Sequence, residues 1–220
     1  MSIKSVSIHN LVVVLVGDFN PSIITPSWLA LKKLIRDSES ENAEINLIHR
    51  EISKFSLSFV EIQVNRERFE FKCSNQADFH LVKDLVVSIF SILSETIVKG
   101  IGINHVLHYS LIDDVKYAEF GNWLAPQNHW SDVFNSPKLL ELKITEPLGD
   151  VNPISRQITI SPSSKIKPYG VTMHMNYHIE LSKILNTSVP KQIMENWDKS
   201  FDKIENVYVD IMKKFNNENN

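Results

Sequence analysis

The chain has 220 residues, of which 43% are apolar and 22% are charged, and its formal net charge is −3 at pH 7. This length and composition can bury a sizeable core, as one large domain or two packed smaller ones. The slightly acidic charge argues against long-range attraction of nucleic acid. The single cysteine, Cys73, excludes an internal disulfide and a thiolate metal cluster, and so favours a reducing, cytoplasmic location.

The sequence predicts neither a signal peptide nor a membrane span. The strongest apolar run near the N-terminus covers residues 11–16 and is followed at once by Gly17 and Asp18. Such a run is shorter than the apolar core of a signal peptide and far shorter than a bilayer-spanning helix.

The first half of the chain predicts the element order β-α-β-β-β-α. Residues 5–18 are rich in β-branched side chains and predict a buried strand, after which Thr25 and Pro26 predict the start of a helix that ends before the polar loop "DSESEN". The next predicted strands are "EINLIHR", "FSLSFVEIQV" and "RFEFKC", with "NRE" as a hairpin turn. Apolar residues at helical spacing then predict one long helix over residues 76–99, which Gly100 would cap.

The second half begins with "IGINHVLHYSLIDD", whose alternation predicts a strand with Asn104 and His108 on one face and His105 among the apolar side chains on the other. Asp113 and Asp114 predict the start of the helical stretch "VKYAEFGNWLA", and a short second helical segment follows Pro126. Three strands follow, "LLELKIT", "RQITIS" and "YGVTMHMNYHIEL". One helical stripe is predicted from about residue 190 to 215, with Thr187 or Ser188 as its cap.

Both halves therefore predict the same order of elements. We interpret this as an α+β fold with two pseudo-duplicated β-α-β(3-4)-α units, residues 1–99 and 100–220, packed as one globular domain. They would share a curved antiparallel sheet with two long helices on one face. This order resembles the repeated unit of TATA-binding-protein-like folds, and the resemblance implies an architecture rather than DNA binding.

No catalytic, metal or cofactor site is predicted. His174 and His178 lie about 13 Å apart if "TMHMNYH" is a strand, too far for two ligands of one ion. The nucleophile elbow "GxSxG" and the phosphate-binding patterns "GxxxxGK[ST]" and "GxGxxG" do not occur. We therefore predict structural roles for the histidines, with a stability cost for replacing His105 and no chemical role for His108.

Two groups of side chains remain as candidate binding sites. The segment "FGNWLAPQNHWSDVFNSP" crowds aromatic residues around Gly, Pro and Asn, so some of Trp123, His129 and Trp130 are expected at the surface as anchors for a protein partner. Sealing a sheet edge is the alternative role for these rings. The second group is a polar cluster expected on the open sheet face, made of Asn104, His108, Thr172, His174 and Asn176. The C-terminal stripe is expected to pack on the sheet rather than form a coiled-coil seam.

Three stretches, "LVVVLVGDFNPSIITPSWLALKKLI", "EIQVNRERFEFKC" and "GIGINHV", resemble an uncharacterised, sporadically distributed bacterial protein family. They cover about a fifth of the chain. The resemblance implies no known activity and a patchy occurrence like that of accessory genes in mobile or antiviral defence loci.

The first functional hypothesis is a non-enzymatic adaptor within a larger bacterial complex, for which a defence-type system is one setting. The alternative is a sensor of a small ligand or, less favoured, of nucleic acid, that uses the open sheet face. A hydrolase without a recognisable motif is the third. The sequence leaves a homo-oligomer open and implies no cofactor.

Overall fold

The computed structural model describes residues 7–148, 153–184, 186–202 and 204–218. These residues form an α+β fold around an open nine-stranded sheet in which every neighbouring pair is antiparallel. The strands follow the order β2-β3-β4-β5-β1-β6-β9-β8-β7 across the sheet. Their bounds are β1 (Ile8–Gly17), β2 (Glu44–His49), β3 (Ile52–Ser56), β4 (Glu61–Asn65), β5 (Arg68–Cys73), β6 (Val98–Ser110), β7 (Leu142–Pro147), β8 (Ile154–Pro162) and β9 (Gly170–Ile179).

Helices pack on one face of this sheet. Their bounds are α1 (Pro26–Leu31), α2 (Asp37–Glu41), α3 (Phe79–Ile92), α4 (Asp114–Leu124), α5 (Val189–Phe201) and α6 (Ile204–Glu218). The predicted start signals are confirmed for two of them, since Thr25 caps α1 and Asp113 caps α4 by accepting from backbone N–H groups. Of the two candidates for the later cap, Ser188 caps α5. In the described residues, α3, α5 and α6 are the helices longer than a dozen residues.

Alternating side chains explain why the sheet has one covered face. On β1, Leu11, Val13 and Leu15 are completely buried beneath the helices, and the residues between them point to the other side. We call these two sides the helix face and the open face. No described helix packs on the open face.

The core has two apolar clusters. The larger joins β1 and β3–β6 to α3 and α5, where Ile193 and Trp197 are buried. The smaller joins β6, β8 and β9 to α4 and α6, where Tyr208 and Phe215 are buried. Phe201, the last residue of α5, packs against both clusters.

The predicted C-terminal helix is wrong as a single element. The helical stripe breaks after Phe201, and Asp202 has an extended backbone with φ −55° and ψ 127°. The break lets α5 cover the larger cluster while α6 turns to the smaller one. Spacing along a stripe cannot distinguish one helix from two that continue the same pattern.

The predicted helix over residues 76–99 is too long. A 3₁₀ turn covers Gln76–Asp78, α3 ends at Ile92, and β6 begins at Val98, so that Gly100 lies in a strand instead of capping a helix. The β-branched Val98 begins the strand, which shows that apolar spacing alone did not mark the boundary.

Two further predictions in the first half require correction. The segment "FSLSFVEIQV" forms two strands, β3 and β4, because Leu57 N–H donates to Val60 O and closes a turn between them. The predicted loop "DSESEN" contains the short helix α2. The "NRE" turn is confirmed, and the Asn65 side chain accepts from the N–H groups of Glu67 and Arg68.

Candidate functional site

The five residues of the predicted polar cluster all lie on the open face. They come together because β6 and β9 are antiparallel neighbours, with Asn104 opposite Asn176 and His108 opposite Thr172. His174 lies between them on β9, opposite Val106. Alternation therefore placed these residues on one face, and pairing of two strands far apart in sequence made them neighbours.

Asn104 and His174 form a fixed pair in this cluster. The Asn104 amide nitrogen donates to Val12 O at 3.0 Å and to Gly102 O at 3.2 Å, and its Oδ1 lies 2.9 Å from His174 Nε2. Burial, and secondarily the nearby Lys143, lower the pKa of His174. These contacts hold an amide and a neutral imidazole in one orientation.

His108 anchors a loop. Its Nδ1 lies 2.8 Å from Ser163 Oγ and 3.1 Å from Thr172 Oγ1, while Ser163 Oγ accepts from the N–H groups of Lys165 and Ile166. Burial, with a smaller contribution from Lys165, lowers the pKa of His108. Because Ser163 Oγ already accepts from two N–H groups, it donates its own hydrogen to the ring, which is a structural use of the His108 side chain.

Glycines create a depression beside the polar cluster, which we call the sheet groove. A Cβ atom at Gly102 would lie 3.1 Å from Asn176 Oδ1 and 3.2 Å from Asn104 Nδ2, and one at Gly100 would lie 3.3 Å from His178 Cε1. The resulting cavity has a volume of about 390 Å³. Asn176 Oδ1 is buried and has no hydrogen-bond partner among the described atoms.

The other walls of the sheet groove were missed by sequence reasoning. Val12, Val14 and Val16 of β1 form an apolar side, and beyond them Arg68 and Glu70 of β5 form an ion pair at 2.7 Å. The alternation of β1 predicts that its three valines share one face. The strands that pair with β1, and therefore the neighbours of these valines, could not be assigned from the sequence alone.

A pair of histidines, His9 and His105, lies on the helix face. His9 Nε2 lies 3.1 Å from His105 Nδ1, His105 Nε2 lies 3.3 Å from Ser200 Oγ, and Gln76 Nε2 lies 2.9 Å from His9 Nδ1. Ser200 Oγ donates its hydrogen to Trp197 O at 2.6 Å. Ser200 Oγ must therefore accept from His105 Nε2–H. This leaves His105 Nδ1 to accept from His9 Nε2–H, and His9 Nδ1 to accept from Gln76, so both rings are assigned the Nε2–H tautomer. The prediction that His105 lies with the apolar set is confirmed, since it is 1% exposed.

The aromatic segment divides between core and surface. Trp123 is half-buried, with its ring 6.1 Å from that of Phe120 and 5.8 Å from that of Phe215. His129 and Trp130 are exposed. Two of the three predicted partner-binding residues are therefore at the surface, and the third contributes to the smaller apolar cluster.

Trp130 also lines a large apolar cleft, which we call the loop groove. It lies between α4 and the irregular segment 130–141, over Ile160 and Val171 of the sheet, and has a volume of about 1070 Å³. Phe134 and Leu140 line it as well, and both are exposed. The sequence predicted exposed aromatic rings in this region. The cleft itself forms because residues 130–141 fold back beside α4, which the sequence did not predict.

The described residues contain no group of three or more His, Cys, Asp or Glu side chains placed to hold a metal ion. No helix in the same part of the chain combines the length and apolar character that crossing a bilayer requires. A comparison of the chain with models of known protein families and with curated proteins found no match.

Proposed function

We propose that this chain is a non-enzymatic binding protein that holds an apolar segment of a protein partner in the loop groove. The observation that carries the proposal is the exposure of Trp130 and Phe134, which are 50% and 55% exposed while lining a cleft of about 1070 Å³. Large aromatic side chains beside an apolar cleft are typical anchors of protein interfaces.

The partner segment that fits best is an amphipathic helix. The floor and walls of the groove are mainly aliphatic and aromatic, whereas Asp114, Lys138 and Glu141 supply charges at its lining. An apolar helix stripe would bury its side chains against the floor, and basic residues beside the stripe would meet the two carboxylates. The groove thus favours a helix with an apolar stripe and basic flanks.

The test uses the full chain as bait and compares Trp130→Ala and Phe134→Ala with Val133→Ala. Val133 is 71% exposed in the same segment but does not line the groove, so it is a matched control. Burying an aromatic ring contributes about 1.5–3 kcal/mol, so each groove substitution should weaken binding about tenfold or more. Thermal melting of the variants should stay unchanged.

The supporting result is one partner protein that wild type and Val133→Ala retain and both groove variants lose, followed by the same ranking with that purified partner. Retention by all variants would contradict the proposal. Trp123→Ala provides a contrast, because its ring packs in the smaller cluster and its loss should lower the melting temperature.

The biological setting and evolutionary origin are also proposals. The resemblance to a sporadically distributed bacterial family supports an adaptor in a larger cytoplasmic complex, such as a defence-type system. The strand order supports a duplication of the units 1–99 and 100–220, since β5-β4-β3 extend outward from β1 as β9-β8-β7 extend from β6. The finer TATA-binding-protein-like arrangement belongs to the same proposal, with α3 in the place of the first long helix and the consecutive helices α5 and α6 in the place of the second.

A small uncharged ligand in the sheet groove is the second candidate function. It is favoured by the glycine depression beside oriented neutral groups. Nucleic acid is less favoured because Lys54 and Arg68 on this face form ion pairs with Glu61 and Glu70. A thermal-shift screen of neutral polar metabolites would support the ligand if a stabilising hit lost its effect in Val14→Phe, which narrows the groove.

A further inference from the structure

The strand β2 forms an edge of the sheet that carries neither lysine nor proline. It lies first in the sheet order, pairs with β3 on one side, and all six of its residues are exposed. Three of them are large and apolar, namely Ile45, Leu47 and Ile48. Edge strands carry unpaired N–H and C=O groups, which proteins usually protect with lysine, proline, a β-bulge or a covering segment. Of these devices β2 has an irregularity in register between Ile45 and Leu47.

The opposite edge of the sheet has such protection. There β7 carries Lys143 and Glu146 and ends at Pro147, which has no N–H group to offer a further strand. Residues 44–49, by contrast, contain neither lysine nor proline. The two edges therefore differ, and only β2 has the character of an edge that pairs with another strand.

We propose that β2 pairs in antiparallel fashion with β2 of a second copy of this chain, which makes a symmetric dimer with a continuous sheet. The two-fold axis would pass between Asn46 and Leu47. Regular pairing then falls on either side of the irregular residues 46 and 47, with Ile45 opposite Ile48 and Glu44 opposite His49 of the second copy. Because the contact is isologous, it closes after two chains instead of growing into a fibre.

A register shift in β2 places the two isoleucines that would meet in the dimer on the same face of the sheet. The shift falls between Ile45 and Leu47, so that Ile45 is opposite Phe55 and Ile48 is opposite Ser53 on β3. Phe55 and Ser53 are both buried on the helix face. Ile45 and Ile48 therefore share that face although they are three residues apart, and the dimer would pack each against the other across the axis.

The same register places a carboxylate opposite an imidazole, which can donate a hydrogen bond to it, on the open face. Glu44 is opposite Ser56, and His49 is opposite Ile52, so both project to this side. In the dimer Glu44 would face His49 of the second copy, and symmetry supplies the contact twice. Like charges are thus kept apart in the register that also joins the isoleucines.

The oligomeric state tests the proposal, measured by light scattering on a sizing column over a hundredfold range of concentration. Wild type should approach twice the mass of one chain as concentration rises. Ile45→Lys should raise the dissociation constant at least tenfold, whereas Ile144→Lys on β7 should not, although Ile45 and Ile144 are 57% and 56% exposed. Leu47→Lys is the second disrupting variant, and thermal melting checks that each variant is folded.

Cysteine cross-linking tests the register. Under mild oxidation a mixture of the Ile45→Cys and Ile48→Cys chains should form a disulfide dimer, since opposite Cα atoms lie about 5 Å apart. Either variant alone should not, because its two cysteines would be about 10 Å apart along the strands. The native Cys73 is buried and should not compete.

A chain that is monomeric at every concentration, or a dimer that survives both lysine substitutions on β2, would overturn the proposal. The first result would leave the edge open to a strand of a different protein. The register would be overturned if the lysine substitutions on β2 dissociate the dimer but Ile45→Cys alone, Ile48→Cys alone and their mixture all cross-link equally well. All of these measurements are independent of the loop groove and its partner.

Discussion

At the scale of single residues, His9 and His105 form the least expected feature. Strand alternation assigns His105 to the helix face, but nothing in the sequence joins it to a ring 96 residues earlier. The contact arises because β1 and β6 are neighbours that place Leu11 opposite His105. Local spacing predicts which way a side chain points, whereas its partner depends on sheet order, which local spacing does not contain.

This histidine pair predicts a loss of stability in mild acid. Burial, and after it the charges of His9 and His174, lowers the pKa of His105 to about 3, and burial lowers the pKa of His9 to about 4. Both groups titrate near their ordinary value in the unfolded chain, so below about pH 6.5 the unfolded chain binds more protons than the folded protein. The free energy of unfolding should therefore fall by up to about 1.4 kcal/mol per pH unit for each ring.

Urea unfolding between about pH 7 and pH 5 measures this slope, in a range where most unperturbed carboxylates stay ionised. His105→Gln removes one titrating ring and should reduce the slope, whatever it does to stability at neutral pH. His80→Gln, at an exposed position on α3, is the control for the loss of a histidine outside this pair. Equal slopes in wild type and His105→Gln would contradict the assignment.

At the scale of elements, the sequence predicted helix starts better than helix ends. Thr25, Asp113 and Ser188 are caps that act through hydrogen bonds within three residues, so they are visible locally. The ends of α3 and α5 depend on where the next element must go. The break before α6 lets that helix cover a cluster formed largely by β6, β8 and β9. The position of the break therefore depends on tertiary packing, which local sequence patterns do not contain.

The cap of α4 gives an element-scale prediction, because α4 forms one wall of the loop groove. Asp113 accepts from Lys116 N–H at 2.8 Å, while the adjacent Asp114 accepts only from Val115 N–H among the hydrogen bonds of the described residues. Asp113→Ala should lower the free energy of unfolding by about 1 kcal/mol. Asp114→Ala should cost less, since its interaction with the helix dipole is worth about 0.3–1 kcal/mol. Chemical denaturation of the two variants side by side measures the difference, and equal losses would count against the cap.

At the scale of the whole molecule, β1 and β6 join the two halves. We call the pairing of β1 with β6 the seam. It contains ten paired positions of β1, and β1 also pairs with β5 on its other side. Both apolar clusters include residues of β6, and Phe201 contacts each of them. The halves predicted from element order thus share a continuous sheet, so the seam should couple their stabilities.

Leu15 lies at this seam, completely buried, opposite Phe69 on β5 and Ile101 on β6. Leu15→Ala should lower the free energy of unfolding by about 2–5 kcal/mol, because the cavity cannot collapse between two fixed strands. If the seam couples the halves, amide exchange in β4 and in β8 should accelerate together, although neither strand contacts Leu15 in the sheet. Val16→Ala, at the adjacent position on the open face, is the control and should change both by little. Faster exchange in β4 alone would mean that the units 1–99 and 100–220 unfold separately and that the sheet joins two independent domains.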